Sequence, residues 1–117
     1  MVDGEKATWQ DNAYMNDLHP RTAVAVDQSG RHLILLVVDG RQANYSEGAT
    51  LDEAANLLLE FGAWDAINLD GGGSTTLVIA DSAGNPVQLN SPIHTHVPGR
   101  ERPVGNHLGL IAPSIAS

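Results

Sequence analysis

Seven consecutive residues carry the densest chemical signal in this chain: Asp70-Gly71-Gly72-Gly73-Ser74-Thr75-Thr76. Three glycines remove every side chain that would keep a ligand from the backbone. They also permit left-handed backbone, so successive amides can point at one anion. Ser74, Thr75 and Thr76 add hydroxyls. The same residues also suit a tight hairpin between two strands. No lysine of the Walker type follows, so the segment is not a nucleotide P-loop, and it lacks the GxGxxG spacing of a dinucleotide site.

Three carboxylates stand near Gly-rich or Pro-rich sequence: Asp39, Asp70 and Glu101. Glycoside cleavage generally uses one carboxyl as acid and a second as base or nucleophile. Taken singly, each Asp-Gly pair is equally well explained as a turn. Arg21, Arg41 and Arg102 lie in comparable positions. A guanidinium offers forked donors that match phosphate oxygens, although a lone arginine more often pairs with a carboxylate. His94 and His96 would share a face if they lay in a strand, but no third metal ligand is marked. His19 and His107 read as site-wall or packing residues. Asn68, Asn90 and Asn106 suit either sugar hydroxyls or turn caps.

These residues sit at the ends of predicted elements, where a rigid scaffold can hold them. Thr22–Asp27 alternates and predicts a strand. His32–Val38 is a continuous apolar run, expected as a strand buried on both faces, and the turn signal Gln28-Ser29-Gly30 joins the two as a hairpin. Thr50–Phe61 predicts the principal helix, with Thr50 and Glu53 as a capping box. Its apolar stripe is Leu51, Ala54, Ala55, Leu58 and Phe61, and Gly62 falls at the expected left-handed cap. Ala66–Leu69 and Thr75–Ala80 predict strands on either side of the triple glycine. Pro86–Leu89 predicts a short strand, 93–103 an irregular loop and Asn106–Ala112 a final strand. The sum is an α+β fold: a mixed, mainly antiparallel sheet with one helix, about 50–61, on a face. Residues 1–18 read as a linker or arm in which Trp9 and Tyr14 can dock, and 113–117 as a tail.

The chain has 117 residues, enough for one domain with a core. Six Lys and Arg against 14 Asp and Glu give a net charge of -8, which argues against nucleic acid and anionic membranes as partners. Cysteine is absent, so disulfides, thiol nucleophiles and Cys-based zinc sites are excluded. No stretch is long and apolar enough to span a bilayer, and residues 1–18 are too polar for a signal peptide.

Five motifs then occur in order: His19-Pro20-Arg21-Thr22-Ala23, Val38-Asp39-Gly40-Arg41, Ser46-Glu47-Gly48-Ala49-Thr50-Leu51, Asn68-Leu69-Asp70-Gly71-Gly72-Gly73-Ser74 and Glu101-Arg102-Pro103-Val104-Gly105-Asn106. Together they resemble the phosphodiester glycosidase domain family, over residues 19–112. The resemblance implies hydrolysis of a glycosyl phosphodiester, releasing a sugar and leaving a phosphomonoester. It implies Asp70 and Glu101 as the carboxylate pair, with Asp39 orienting Arg41 or the substrate. Arg21, Arg41 and the amides of Gly71, Gly72 and Gly73 would hold the phosphate, with Ser74, Thr75, Arg102 and Asn106 as further contacts. No cofactor is required by it; a divalent cation on the phosphate stays open. It also implies an exported or extracellular protein. The family domain has a substantial portion before its HPRT-like segment, where this chain has 18 residues. That leaves an alternative: a noncatalytic structural or carbohydrate-binding module. Such a module would associate with another copy or with a complementing chain, since a truncated sheet exposes an edge.

Overall fold

The structure, a computed structural model, describes residues 1–7 and 13–113. Trp9 and residues 114–117 of the expected tail lie outside the described residues.

The order is α1 (Ala13–Asn16), β1 (Arg21–Asp27), β2 (Leu33–Val38), α2 (Leu51–Glu60), β3 (Ala63–Asn68), a 3-10 turn at Gly72–Ser74, and four short strands. These are β4 (Val78–Ala80), β5 (Pro86–Gln88), β6 (Ile93–His94) and β7 (Val97–Pro98). The main sheet runs β2-β1-β3, with β1 antiparallel to both neighbours. β4 pairs with β5 and β6 with β7 as separate antiparallel ribbons. The architecture is α+β, with one principal helix on one face of an antiparallel sheet.

Alternation along β1 turns Ala23 and Ala25 inward, where they pack with Leu58 of α2 and Ala63. Small side chains on the strand let the helix approach closely. Ile34, Leu36, Ala66 and Met1 close the margin of this core. The helix begins where its sequence says it should. The Thr50 side chain accepts from the Glu53 amide at 3.1 Å, and the Glu53 carboxylate accepts from the Thr50 amide at 3.3 Å. At the other end Gly62 takes φ +87° and donates to Leu59 O. Residues 1–5 lie along β3: Met1 O accepts from the Ala66 amide at 3.0 Å, and the Gly4 amide donates to Trp64 O at 2.7 Å.

Several expected elements differ. β2 is an edge strand, not one buried on both faces: Leu33 and Leu35 are 44% and 39% exposed. One helix covers one face only, so Ile34 and Leu36 reach the core and their neighbours do not. β3 begins at Ala63, three residues earlier than the pattern suggests. β4 is only Val78–Ala80, and Thr75 is instead buried beside the site. The triple glycine forms a 3-10 turn rather than a hairpin. The 93–103 loop contains the β6–β7 ribbon, with Thr95 and His96 at positive φ in its turn. His94 and His96 therefore do not share a strand face. Residues 106–112 form no strand, and Leu108 and Leu110 stay exposed. An apolar run becomes a strand only where a ladder partner is present, and none stands there among the described residues.

The β1–β2 turn is built on charge. Asp27 accepts from the Ser29 hydroxyl at 2.8 Å and the Arg31 amide at 3.1 Å, and pairs with His32 Nδ1 at 2.5 Å. The His32 and Ser29 hydrogen bonds hold the Asp27 carboxyl well below the usual range. A depressed folded value contributes stability above the unfolded pKa, about 3.9, and that contribution decays as pH falls below it. Asp27→Asn should therefore lower Tm at pH 7, and the difference from the parent should shrink as pH drops below about 4. A pH-independent difference, read by thermal melts from pH 7 to 2, would count against this.

Candidate functional site

The second, third and fourth motifs meet because their backbones pack against His19 and Pro20 of the first, and the fifth joins them through the Arg102 side chain. His19 and Ala49 exchange backbone hydrogen bonds, His19 N to Ala49 O at 3.2 Å and Ala49 N to His19 O at 3.0 Å. Gly48 lies against this pair at φ +111°, where a Cβ would fall 2.4 Å from His19 O. A side chain there is excluded by both backbone angle and space. Pro20 O accepts from the Gly72 amide at 2.9 Å, and a Cβ on Gly71 would fall 2.7 Å from the same oxygen. The absence of side chains thus lets the triple glycine dock on β1's leading end.

Two guanidinium groups close over that glycine backbone. A Cβ on Gly72 (φ +60°) would stand 3.1 Å from Arg41 Nη2, and one on Gly73 would stand 3.3 Å from Arg102 Nη1. Adjacent Cα atoms are about 3.8 Å apart, so the two cations crowd neighbouring positions of one short turn. Arg102 donates through Nε and Nη2 to Ser74 Oγ, the first at 3.1 Å. Its Nη2 lies 3.5 Å from Asp70 Oδ2, and the Asp70 side chain is 78% exposed. Arg41 has φ +56° and is exposed; its amide donates to Glu47 O. Its guanidinium donates to Nδ1 of His19, Nε at 3.4 Å and Nη2 at 3.2 Å. His19 stacks on Tyr14 with ring centroids 4.9 Å apart. Burial first, then the Arg41 and Arg21 charges, hold its pKa below the ordinary value against a smaller opposing effect of Asp17.

Other expected site residues stand elsewhere or are already engaged. Arg21 is fully buried rather than facing a ligand. Its Nε donates to Ala49 O at 2.9 Å, and its Nη2 to Tyr14 O at 2.5 Å and Asp17 O at 3.0 Å. It also lies 4.8 Å from the Tyr14 ring centroid. Among the described residues its Nη1 has no hydrogen-bond partner. The Asp39 carboxylate accepts from Tyr45 Oη at 2.6 Å, from Asn90 Nδ2 at 3.0 Å and from the Ser91 amide at 3.0 Å. Arg41, two residues on, turns to His19 instead. The bond to Asp39 pushes the Tyr45 phenol pKa up. Thr75 is buried and shares a 3.1 Å hydroxyl contact with Thr22, while Thr75 O accepts from Asn90. Of the glycine amides, that of Gly72 is spent on Pro20, and the Ser74 amide donates to Gly71 O. Glu101 and Asn106 are exposed and carry no hydrogen bond or ion pair among the described residues.

Tyr14, Gln42 and Ser91 were not assigned to the site from sequence, and Asn90, offered for a sugar hydroxyl or a turn cap, instead donates to Asp39 and Thr75 O. Gln42 is buried and ties Gly40 O to Ser91. The signal for it is weak: one polar residue next to an Asp-Gly-Arg turn. Among the described residues no group of three or more His, Asp or Glu gathers in a metal-holding arrangement, and no helix is long and apolar enough to cross a membrane. A cleft of about 420 Å³ opens between β2 and α2, lined by Val38, Gly48 and Glu53 among others. It is lined by none of Asp39, Arg41, Asp70, Glu101 and Arg102 and touches the motifs only through Val38, Gly48 and Ala49.

Gly72→Ala puts a methyl group against Arg41 in a left-handed backbone position. It should cost about 1–2 kcal/mol in urea unfolding and displace the Arg41 guanidinium. An unchanged urea midpoint would contradict the close approach.

A family model described as phosphodiester glycosidase matches residues 1–111. N-acetylglucosamine-1-phosphodiester alpha-N-acetylglucosaminidase of Bos taurus is 46% identical over 68 residues, 58% of this chain and 12% of the relative. The Homo sapiens enzyme of that name is 38% identical over 77 residues, 66% of this chain and 14% of its own length. The solved catalytic domain of the zebrafish enzyme, auto-inhibited by its pro-peptide, aligns at 42% identity with a TM-score of 0.47, covering 53% of this chain and 19% of that one. The chain thus spans a small part of the relatives it matches. With nearly its whole length under the family model, the chain belongs to the phosphodiester glycosidase family.

Proposed function

We propose that the Arg41–Arg102 cluster binds the phosphodiester of a glycosyl phosphodiester and that the bond to the sugar is hydrolysed there. Water supplies the hydroxyl that ends on the anomeric carbon, and the phosphate departs as a phosphomonoester. One observation carries this reading: two guanidinium groups close on adjacent glycines, with the Asp70 carboxylate beside one of them. Paired cations suit a phosphate, since forked donors match its oxygens. Asp70 is exposed and, among the described residues, its side chain is anchored by one ion pair, so it is free to act as acid or base. Glu101, next in sequence to Arg102, is its proposed partner. Ser74 and Asn106 are proposed sugar or phosphate contacts. Arg21 and Asp39 act here as braces, not ligands: the one holds α1, the other the 90–91 loop. Export from the cell belongs to the same reading.

Incubating the protein with a UDP-sugar or another glycosyl phosphodiester should release reducing sugar. Binding without release would instead support the second reading, a noncatalytic binding module. That reading is favoured by a specific observation: of the three expected carboxylates, one is locked in structural hydrogen bonds and another makes no hydrogen bond or ion pair among the described residues. Self-association, or pairing with a complementing chain, goes with it, because the β2 edge exposes Leu33 and Leu35.

A further inference from the structure

Arg41 is an exposed side chain at the turn after an edge strand, and such a side chain samples many rotamers unless something holds it. What holds it is His19. Both contacting nitrogens of the guanidinium, Nε and Nη2, point at one atom, His19 Nδ1. An arginine can only donate, so Nδ1 must accept, and the ring proton resides on Nε2. The ring is itself fixed from two sides. Its backbone is paired to Ala49, and its face stacks on Tyr14 at an interplanar angle of 19°. Tyr14 is in turn held from below, since its carbonyl accepts from Arg21 and its ring lies over the same guanidinium. A continuous series of contacts thus runs from a fully buried arginine to the exposed one at the glycine turn.

We propose that His19 is a positioning residue of the anion site: as a neutral acceptor it aims the Arg41 guanidinium at the Gly72 backbone. The proposal rests on the reading of that cluster as a phosphodiester site. The groups facing the ring are Tyr14 and Asp17 from α1 and its exit, Arg21 from β1, and Arg41 from the turn after β2. Burial first, then the two cations, outweigh the one acid, so the ring is kept neutral. Protonation would remove the acceptor lone pair and set a cation against Arg41. The guanidinium would then swing away, and anion binding would weaken as pH falls below the ordinary histidine range, about 6.5.

Dimethyl phosphate tests this, because a dialkyl phosphate keeps one negative charge throughout the range and the pH dependence belongs to the protein. Its affinity is measured by NMR titration between pH 5 and 8 for the parent, His19→Asn and His19→Leu. Asn keeps an acceptor oxygen one bond beyond Cγ, where Nδ1 stands; Leu keeps bulk and loses the acceptor. The parent should bind at pH 7.5 and lose affinity on acidification. His19→Leu should bind roughly tenfold more weakly at pH 7.5, with no acid limb. His19→Asn should recover most of the affinity, also without the limb. His19→Leu binding like the parent overturns the proposal, as does parent binding that strengthens with acid, which would make His19 a simple cation. Failure of the parent to bind at any pH overturns the phosphodiester reading itself.

Discussion

Asp70→Asn is expected to lower turnover of a glycosyl phosphodiester by about 10²–10⁴-fold while the protein stays folded. The size follows from what a positioned acid or base contributes to a bond-breaking step. The amide matches the carboxylate in shape but neither holds nor gives up the proton. The fold should not notice, because the side chain is exposed and makes one 3.5 Å ion-pair contact with Arg102. Such surface changes usually stay within about 0.5 kcal/mol. Substrate affinity should change little, since Arg41 and Arg102 remain. The check is kcat and KM beside a urea unfolding curve. Full turnover in the variant removes Asp70 from the chemistry; loss of turnover together with loss of folding would place it among the structural residues.

The largest expected effect on stability lies at the arginine that resembled a ligand. Arg21→Met should cost about 3–5 kcal/mol in urea unfolding, as when a buried charged network loses one member. The guanidinium supplies donors to the carbonyls of Ala49, Tyr14 and Asp17 at once, and no apolar side chain replaces them. Buried carbonyls left without donors are costly. Arg21→Lys keeps the charge but not the planar fork, and should fall between. A loss below about 1 kcal/mol for Arg21→Met would mean that α1 does not depend on this residue. Because Tyr14 and His19 stack above it, the Met variant should also loosen the Arg41 position even where enough protein remains folded to measure.

The difference between Arg21 and Arg41 marks where sequence reading stops. Both stand beside Pro or Gly in motifs of the same family, and both have the chemistry of a phosphate ligand. What separates them is a turn of helix six or seven residues before Arg21, whose carbonyls point inward. A four-residue helix carries too little periodicity to be seen in advance. Asp39 makes the same point at longer range, since its partners are 51 and 52 residues away. By contrast, α2 was legible to its caps. Thr50, Glu53 and Gly62 act locally, and Ala54 and Leu58 of the expected stripe are buried, but Phe61 falls at the C-cap and is 69% exposed. The β1–β2 hairpin was legible for the same reason, while the burial of β2 was not. Apolar content along a strand says that something should cover it, but the covering element is a property of the whole fold. Residues 106–112 failed as a strand on that account. The glycine motifs were legible as close approaches but not in detail. The Gly72 amide, expected to face an anion, docks the turn on Pro20, and the cationic surface comes from the two arginines above it.

A crystal structure of the protein soaked with a glycosyl phosphodiester tests the central claim most directly. The phosphate should lie within hydrogen-bonding reach of both Arg41 and Arg102, above Gly72 and Gly73, with the sugar on the Asp70 side. A ligand seated in the cleft between β2 and α2, or on any surface that touches neither guanidinium, would contradict it.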